Sequence, residues 1–246
     1  GMNVYVLQLA REFGKRGHKV DVYTRAHDPV DPQIQQLGEN ARIVHIKAGH
    51  YDESKEGLYD VIPEFISNLY KFQKSERLNY QIVHSHYWLS GRVGTVLSQK
   101  WKVPHVATFH TLAKLKLRAR AGENEPKMRL STEDRLINSV DAIVASTEAE
   151  RQDIVRLYGV NPTHVTVIPP GVDLELFHPY NKMECRAELG IIESTVILYV
   201  GRLEPLKGID ILLQAFSKLE RNEDTRLLIV GGNHKNDAMV TKLSHE

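Results

Sequence analysis

The 246-residue chain has a single cysteine, Cys185. No intrachain disulfide can form, and a thiolate metal cluster has too few ligands. A cytoplasmic setting is the resulting expectation. No stretch approaches 18 consecutive apolar residues, so no transmembrane segment is expected. Excess charge is also lacking: 32 Lys and Arg stand against 31 Asp and Glu, for a net charge of +1. That balance gives no electrostatic case for nucleic acid or a strongly anionic surface as partner. No Gly-x-Gly-x-x-Gly follows a strand pattern, which argues against a dehydrogenase. Short repeats, low-complexity tracts and a secretory signal are missing as well. The partners that remain are small molecules and, for assembly, a homodimer.

Strand and helix signals alternate along the chain. Apolar or alternating runs at Lys19 to Thr24, Ala41 to Ile46, Gln81 to His86, Val103 to Phe109, Asp141 to Ser146, Val165 to Ile168, Val196 to Val200 and Arg226 to Gly232 read as strands. Between them lie helical patterns. One follows Gly1-Met2-Asn3 with Val6, Leu9, Ala10 and Phe13 on a shared face, and others cover Leu58 to Phe72, begin at Leu89, end at Leu136-Ile137 and span Glu148 to Tyr158. This alternation predicts an α/β fold with a parallel, doubly wound sheet, whose ligands sit at the carboxyl ends of the strands. Pro169-Pro170-Gly171 interrupts any regular element and marks a boundary. Residues 1–170 are expected to form most of one Rossmann-like domain, lacking the strand that precedes such a glycine turn. Residues 171–246 are then the opening part of a second, so the chain reads as truncated at both ends. The charged stretch Arg118 to Lys127 reads as a mobile loop.

The segment Gly201-Arg202-Leu203-Glu204-Pro205-Leu206-Lys207-Gly208 follows an apolar strand and precedes a helix with Ile209, Leu212, Leu213 and Phe216 on one face. Two cations beside free helix N–H groups suit a diphosphate. A solvated basic loop is the simpler alternative. His84, His86, Tyr87 and His110 all fall at or just after predicted strand ends. His84 and His86 share one strand face, a spacing that also suits a metal pair, but no acidic or cysteine ligand is placed nearby, and no metal is assigned. A structural histidine bonded to the sheet is the stronger reading for His84. His110, delivered to a strand end beside Thr111, is the better candidate for chemistry, with a capping His-Thr pair as the alternative.

These motifs together resemble the retaining GT-B glycosyltransferases of family 4. The resemblance covers Gly1-Met2-Asn3, His84-Ser85-His86-Tyr87-Trp88-Leu89-Ser90-Gly91, His110-Thr111-Leu112, Pro169-Pro170-Gly171-Val172-Asp173 and Gly201 to Gly208, in the family's order. Within the family it is strongest to the enzymes that glycosylate D-inositol 3-phosphate, with sucrose-phosphate synthases second. The resemblance implies two Rossmann-like domains and transfer of a hexosyl unit with retention. The donor would be a nucleotide diphosphate-sugar such as a UDP-sugar, and the acceptor a small phosphorylated polyol or sugar, with no further cofactor. It assigns the donor to Gly1, Arg202 and Lys207, and contact with the reacting sugar to His110. The acceptor and its phosphate fall to Asn3, Lys55, Tyr87, Thr111 and Arg129. A glutamate pair of the family has no counterpart up to residue 246, so residues 1–246 alone are expected to be inactive. An epimerase of the same fold, or a non-catalytic nucleotide-sugar-binding domain, stays open beside this reading.

Overall fold

The computed structural model describes residues 1–54, 57–119, 125–203, 207–219 and 224–232. The chain divides into two compact units between Gly171 and Val172. The first opens with helix α1 (Met2–Lys15), followed by strands β1 (Val20–Arg25), β2 (Ile34–Gly38) and β3 (Ala41–Ile46) in the order β1-β3-β2. β1 and β3 are parallel, but β2 and β3 are antiparallel. The antiparallel pair departs from the all-parallel expectation. Its cause is a two-residue connection, Glu39-Asn40, in which Asn40 takes a left-handed φ of 51°. A turn that short can only reverse the chain.

Helix α2 (Ile62–Ser75) then leads to a second sheet built from β4 (Val83–His86), β5 (His105–Thr108), β6 (Ala142–Ala145) and β7 (Val165–Val167). These four are parallel and lie in sequence order, joined by α3 (Trp88–Trp101), the pair α4 (Ala113–Ala119) and α5 (Lys127–Ile137), and α6 (Glu148–Tyr158). The stretch expected as a loop is therefore partly helical: Arg118 belongs to α4 and Lys127 opens α5, while residues 120–124 lie outside the described residues.

Local sequence explains the element ends. The Thr147 side chain accepts from the Glu150 N–H, and the Glu150 carboxylate accepts from the Ser146 N–H, so α6 starts with two otherwise orphaned donors satisfied. It stops at Gly159, which is left-handed at φ 69°. Ile154 and Tyr158, four apart, face the core with Phe109, Leu112, Leu136, Ile137 and Ile143. A second core joins Val44 and Ile46 of β3 to Leu69 and Phe72 of α2 and to Val93 and Leu97 of α3, so it ties the two sheets' helices together. Phe13, expected on the buried face of α1, is 42% exposed and packs edge-on against His18 instead.

Close approach of α3 to the sheet needs its glycines. A Cβ on Gly94 would lie 2.5 Å from His105 Nε2, and one on Gly91 would lie 2.1 Å from a Leu136 methyl. His105 is buried beneath the helix and pairs with Ser85 Oγ at 2.8 Å.

The second unit contains α7 (Lys182–Glu188), β8 (Thr195–Val200), α8 (Ile209–Ser217) and β9 (Thr225–Val230). β8 and β9 are parallel in register from Thr195↔Thr225 to Val200↔Val230. Ile209 is buried, and Leu212, Leu213 and Phe216 are partly so, on the face that the sequence spacing marked.

Candidate functional site

The β4–β5 register sets the site. His86 pairs with Thr108, so His84, His86, Thr108 and His110 lie toward one face of the sheet and its carboxyl edge. His84 Nε2 and Thr108 Oγ1 share a hydrogen bond of 2.9 Å, which fits the structural reading of His84. The His86 Nδ1 and His110 Nε2 atoms share another of 3.0 Å. The rings of His84 and His86 lie 4.2 Å apart, and Tyr5 of α1 meets His86 and His110 edge-on at 5.8 and 5.2 Å.

Burial keeps these imidazoles neutral. It pulls His84 down to about 4, His86 down to about 3, and His110 below the ordinary histidine value. A neutral imidazole keeps one donor and one acceptor, and the His86–His110 bond uses one nitrogen of each. His110 therefore has a single ring nitrogen left for a ligand. Among the described residues, no group of three or more His, Cys, Asp or Glu side chains is placed to hold a metal ion.

Backbone geometry is unusual at both strand ends. Tyr87, the residue before α3, has φ 79° and ψ 158°, a conformation that is costly for any residue but glycine. Its N–H donates to the Thr108 carbonyl at 2.9 Å, and its carbonyl receives the Gly91 N–H at 2.9 Å. His110 has φ 59°, and the Thr111 N–H reaches back across it to the Phe109 carbonyl at 2.7 Å. Such a three-residue turn with positive φ is rare and turns the side chain sharply out of the strand line. Both bends stand next to tightly packed anchors, Trp88 and Phe109.

Arg129 lies below this edge, on α5. Its side chain is only 4% exposed. Nε donates to Glu133 Oε1 at 2.7 Å, Nη1 to Glu125 Oε2 at 2.9 Å, and Nη2 to both the carbonyl and Oγ1 of Thr111 at 3.1 and 3.2 Å. The guanidinium carbon sits 5.1 Å from the centre of the Tyr87 ring. Glu133 is fully buried and also accepts from the Ala113 N–H at 2.8 Å and the Tyr158 hydroxyl at 2.7 Å.

The residues expected at the site thus fall into groups. Tyr87, His110, Thr111 and Arg129 come together. Gly1 and Asn3 occupy the exposed start of α1, the helix that carries Tyr5 to the histidines. Lys55 lies outside the described residues. Arg202 and Lys207 belong to the second unit, both exposed: Arg202 just beyond β8, where its carbonyl accepts from the Tyr199 hydroxyl at 2.8 Å, and Lys207 just before Gly208, which caps α8 with φ 68°. Sequence reasoning missed Tyr5, Glu125 and Glu133. The two glutamates stand four residues either side of Arg129, a spacing at which ion pairs form, so that signal was available.

A profile described as "Glycosyltransferase Family 4" matches residues 1–176, and one described as "Glycosyl transferases group 1" matches residues 181–246. A D-inositol 3-phosphate glycosyltransferase of Corynebacterium glutamicum is 39% identical over 242 residues, which are 94% of this chain and 58% of that protein. The chain therefore spans less than two thirds of the length of this curated relative. Among solved structures, a sucrose-phosphate synthase from Thermosynechococcus elongatus matches with a TM-score of 0.86 at 27% identity, over 99% of this chain and 62% of that one. Anabaena HepE, solved in complex with UDP and glucose, shares the fold with a TM-score of 0.68 at 15% identity, over all of this chain and 61% of that one. A parallel α/β sheet with its histidines and bent strand ends at the carboxyl edge, matched over residues 1–176, makes this chain a member of glycosyltransferase family 4.

Proposed function

We propose that the whole protein moves a hexosyl unit from a nucleotide diphosphate-sugar, UDP-sugar being the favoured donor, to a small phosphorylated polyol or sugar, with retention. The observation that carries this reading is the convergence of Tyr87, His110, Thr111 and the buried guanidinium of Arg129 at one sheet edge. A ring, a neutral imidazole, a hydroxyl and a cation within reach of one another suit a ligand with hydroxyls at one end and a phosphate at the other. The similarity to a D-inositol 3-phosphate glycosyltransferase and a sucrose-phosphate synthase supports the same acceptor class.

In this reading residues 1–170 bind the acceptor, through Asn3, Lys55, Tyr87, Thr111 and Arg129. The second domain begins near residue 171 and holds the nucleotide-sugar. Gly1 contributes backbone to the donor side, and Arg202 and Lys207 face the donor diphosphate. As the sugar–phosphate bond breaks, charge builds on the leaving oxygen, and fixed cations lower that barrier most. The acceptor hydroxyl forms the new bond to the sugar carbon and passes its proton to the departing phosphate. His110, held neutral and oriented by His86, contacts the donor sugar rather than acting as a base.

The test is steady-state transfer by the full-length protein from a UDP-hexose to a phosphorylated acceptor and to its dephosphorylated analogue. Strong preference for the phosphorylated form is expected. Equal use of both would refute an acceptor-phosphate pocket.

A further inference from the structure

Arg129 is bonded to two carboxylates, and they are held very differently. Glu133 is fully buried and takes three donors, from Arg129, the Ala113 backbone and the Tyr158 hydroxyl. It is locked into the core and serves as the permanent counter-charge of Arg129. Glu125 has a side chain 8% exposed, and its oxygens are held by two cations, Lys116 Nζ on one and Arg129 Nη1 on the other. Burial would raise its pKa, but the two cations outweigh this and keep it below the ordinary glutamate value, so it is anionic at neutral pH. The same guanidinium turns Nη2 to exposed Thr111 and lies against Tyr87. An anion clamped between Lys116 and Arg129 is therefore beside the two residues that would meet an acceptor phosphate.

We propose that Glu125 is an internal occupant of the acceptor's anion subsite: its carboxylate holds Lys116 and Arg129 together until a phosphate monoester takes its place. This rests on the reading that the acceptor is phosphorylated. Two cations and two carboxylates already balance. A phosphate monoester brings about −1.5 to −2 charges at pH 7, and placing it against both glutamates would set like charges side by side. Glu133 cannot leave without orphaning the buried Ala113 N–H and Tyr158 hydroxyl, whereas the donors that Glu125 gives up, Lys116 Nζ and Arg129 Nη1, are the ones the phosphate itself takes over. Its departure hands the phosphate Lys116 as an additional ligand and keeps a neutral acceptor from gaining the same contacts. The occupant therefore acts as a specificity filter, since only a ligand of greater charge than a carboxylate displaces it with profit.

The test is binding of inorganic phosphate to the full-length protein, saturated with UDP, by titration calorimetry in a chloride buffer, comparing wild type with Glu125→Gln. If the carboxylate fills the subsite about nine-tenths of the time, apparent affinity is lowered about tenfold, and Glu125→Gln tightens phosphate binding by that factor. Glu125→Asp keeps the charge but withdraws it by one methylene, and it should shift affinity in the same direction, which covers the case in which the glutamine variant does not fold. Phosphate binding of equal strength in wild type and variants overturns the occupant role while leaving the phosphate subsite standing. Failure of wild type and variants alike to bind phosphate overturns both.

Discussion

Glu133 offers the sharpest test of how the site is supported. Its carboxylate is fully buried and accepts from Arg129 Nε at 2.7 Å, Ala113 N–H at 2.8 Å and Tyr158 O–H at 2.7 Å. Glu133→Gln keeps the shape but removes the charge facing a guanidinium that is 4% exposed. It also turns an amide NH2 toward the Ala113 N–H or the Arg129 Nε–H, neither of which can accept. Breaking one partner of a buried ion pair costs about 3–5 kcal/mol. Glu125 still offers Arg129 one carboxylate, so the cost should lie near the lower end, about 3 kcal/mol. Glu133→Ala leaves the Tyr158 hydroxyl and the Ala113 N–H without their acceptor, adding about 1–3 kcal/mol for each group left buried. For a unit of this size, about 3 kcal/mol lowers Tm by roughly 6–12 °C. Urea unfolding of the 246-residue chain reads the same loss as a fall in midpoint at unchanged slope. A Glu133→Gln variant within about 1 kcal/mol of wild type would refute the view that this pair is the anchor of the site.

Three further outcomes follow from the same structure. His84, His86 and His105 titrate in the folded state at about 4, 3 and 4, against an ordinary value of 6.5, so the unfolded chain binds more protons between those values and stability falls as pH drops from 6.5 toward 4. Urea midpoints measured from pH 8 to pH 4 should be flat above about 7 and decline steeply below 6.5, the buried His105 alone accounting for roughly 3 kcal/mol; a flat profile down to pH 5 would show the rings to be charged or solvated. Gly94→Ala places a Cβ 2.5 Å from the His105 ring, which is locked to Ser85, and should cost about 1–3 kcal/mol in thermal unfolding despite alanine's better helix propensity; a stabilised variant would mean that α3 can lift from the sheet. In the full-length protein Arg202→Ala should lower kcat by about a hundredfold or more with little change in acceptor KM, if as proposed it acts on diphosphate charge that grows in the transition state. A change confined to KM would assign Arg202 to ground-state binding.

The amino-acid sequence by itself determined the parallel α/β alternation, the strands that end at His86 and before His110, the span of α6, and the apolar face of α8. Each of these is written in a local signal: a short apolar run, a Thr147 cap, a terminal Gly159, or a 3.6-residue spacing. β2 carried no such signal. Ile34–Gly38 is mostly exposed and does not alternate, and it becomes a strand only because the Asn40 turn lays it against β3. α4 and α7, of seven residues each, are too short for periodicity to mark them. Four residues that the structure brings together, Tyr87, His110, Thr111 and Arg129, were singled out from the sequence, but Tyr5, Glu125 and Glu133 were not, and neither were the states of these groups. That His110 is hydrogen-bonded to His86, that Tyr5 meets both rings edge-on, and that Arg129 reaches across to Thr111 are decided by contacts across 18 to 105 positions of chain. Such contacts exist only once strand pairing has fixed which residues meet, and the low polarity around them then sets which groups are charged and which are neutral.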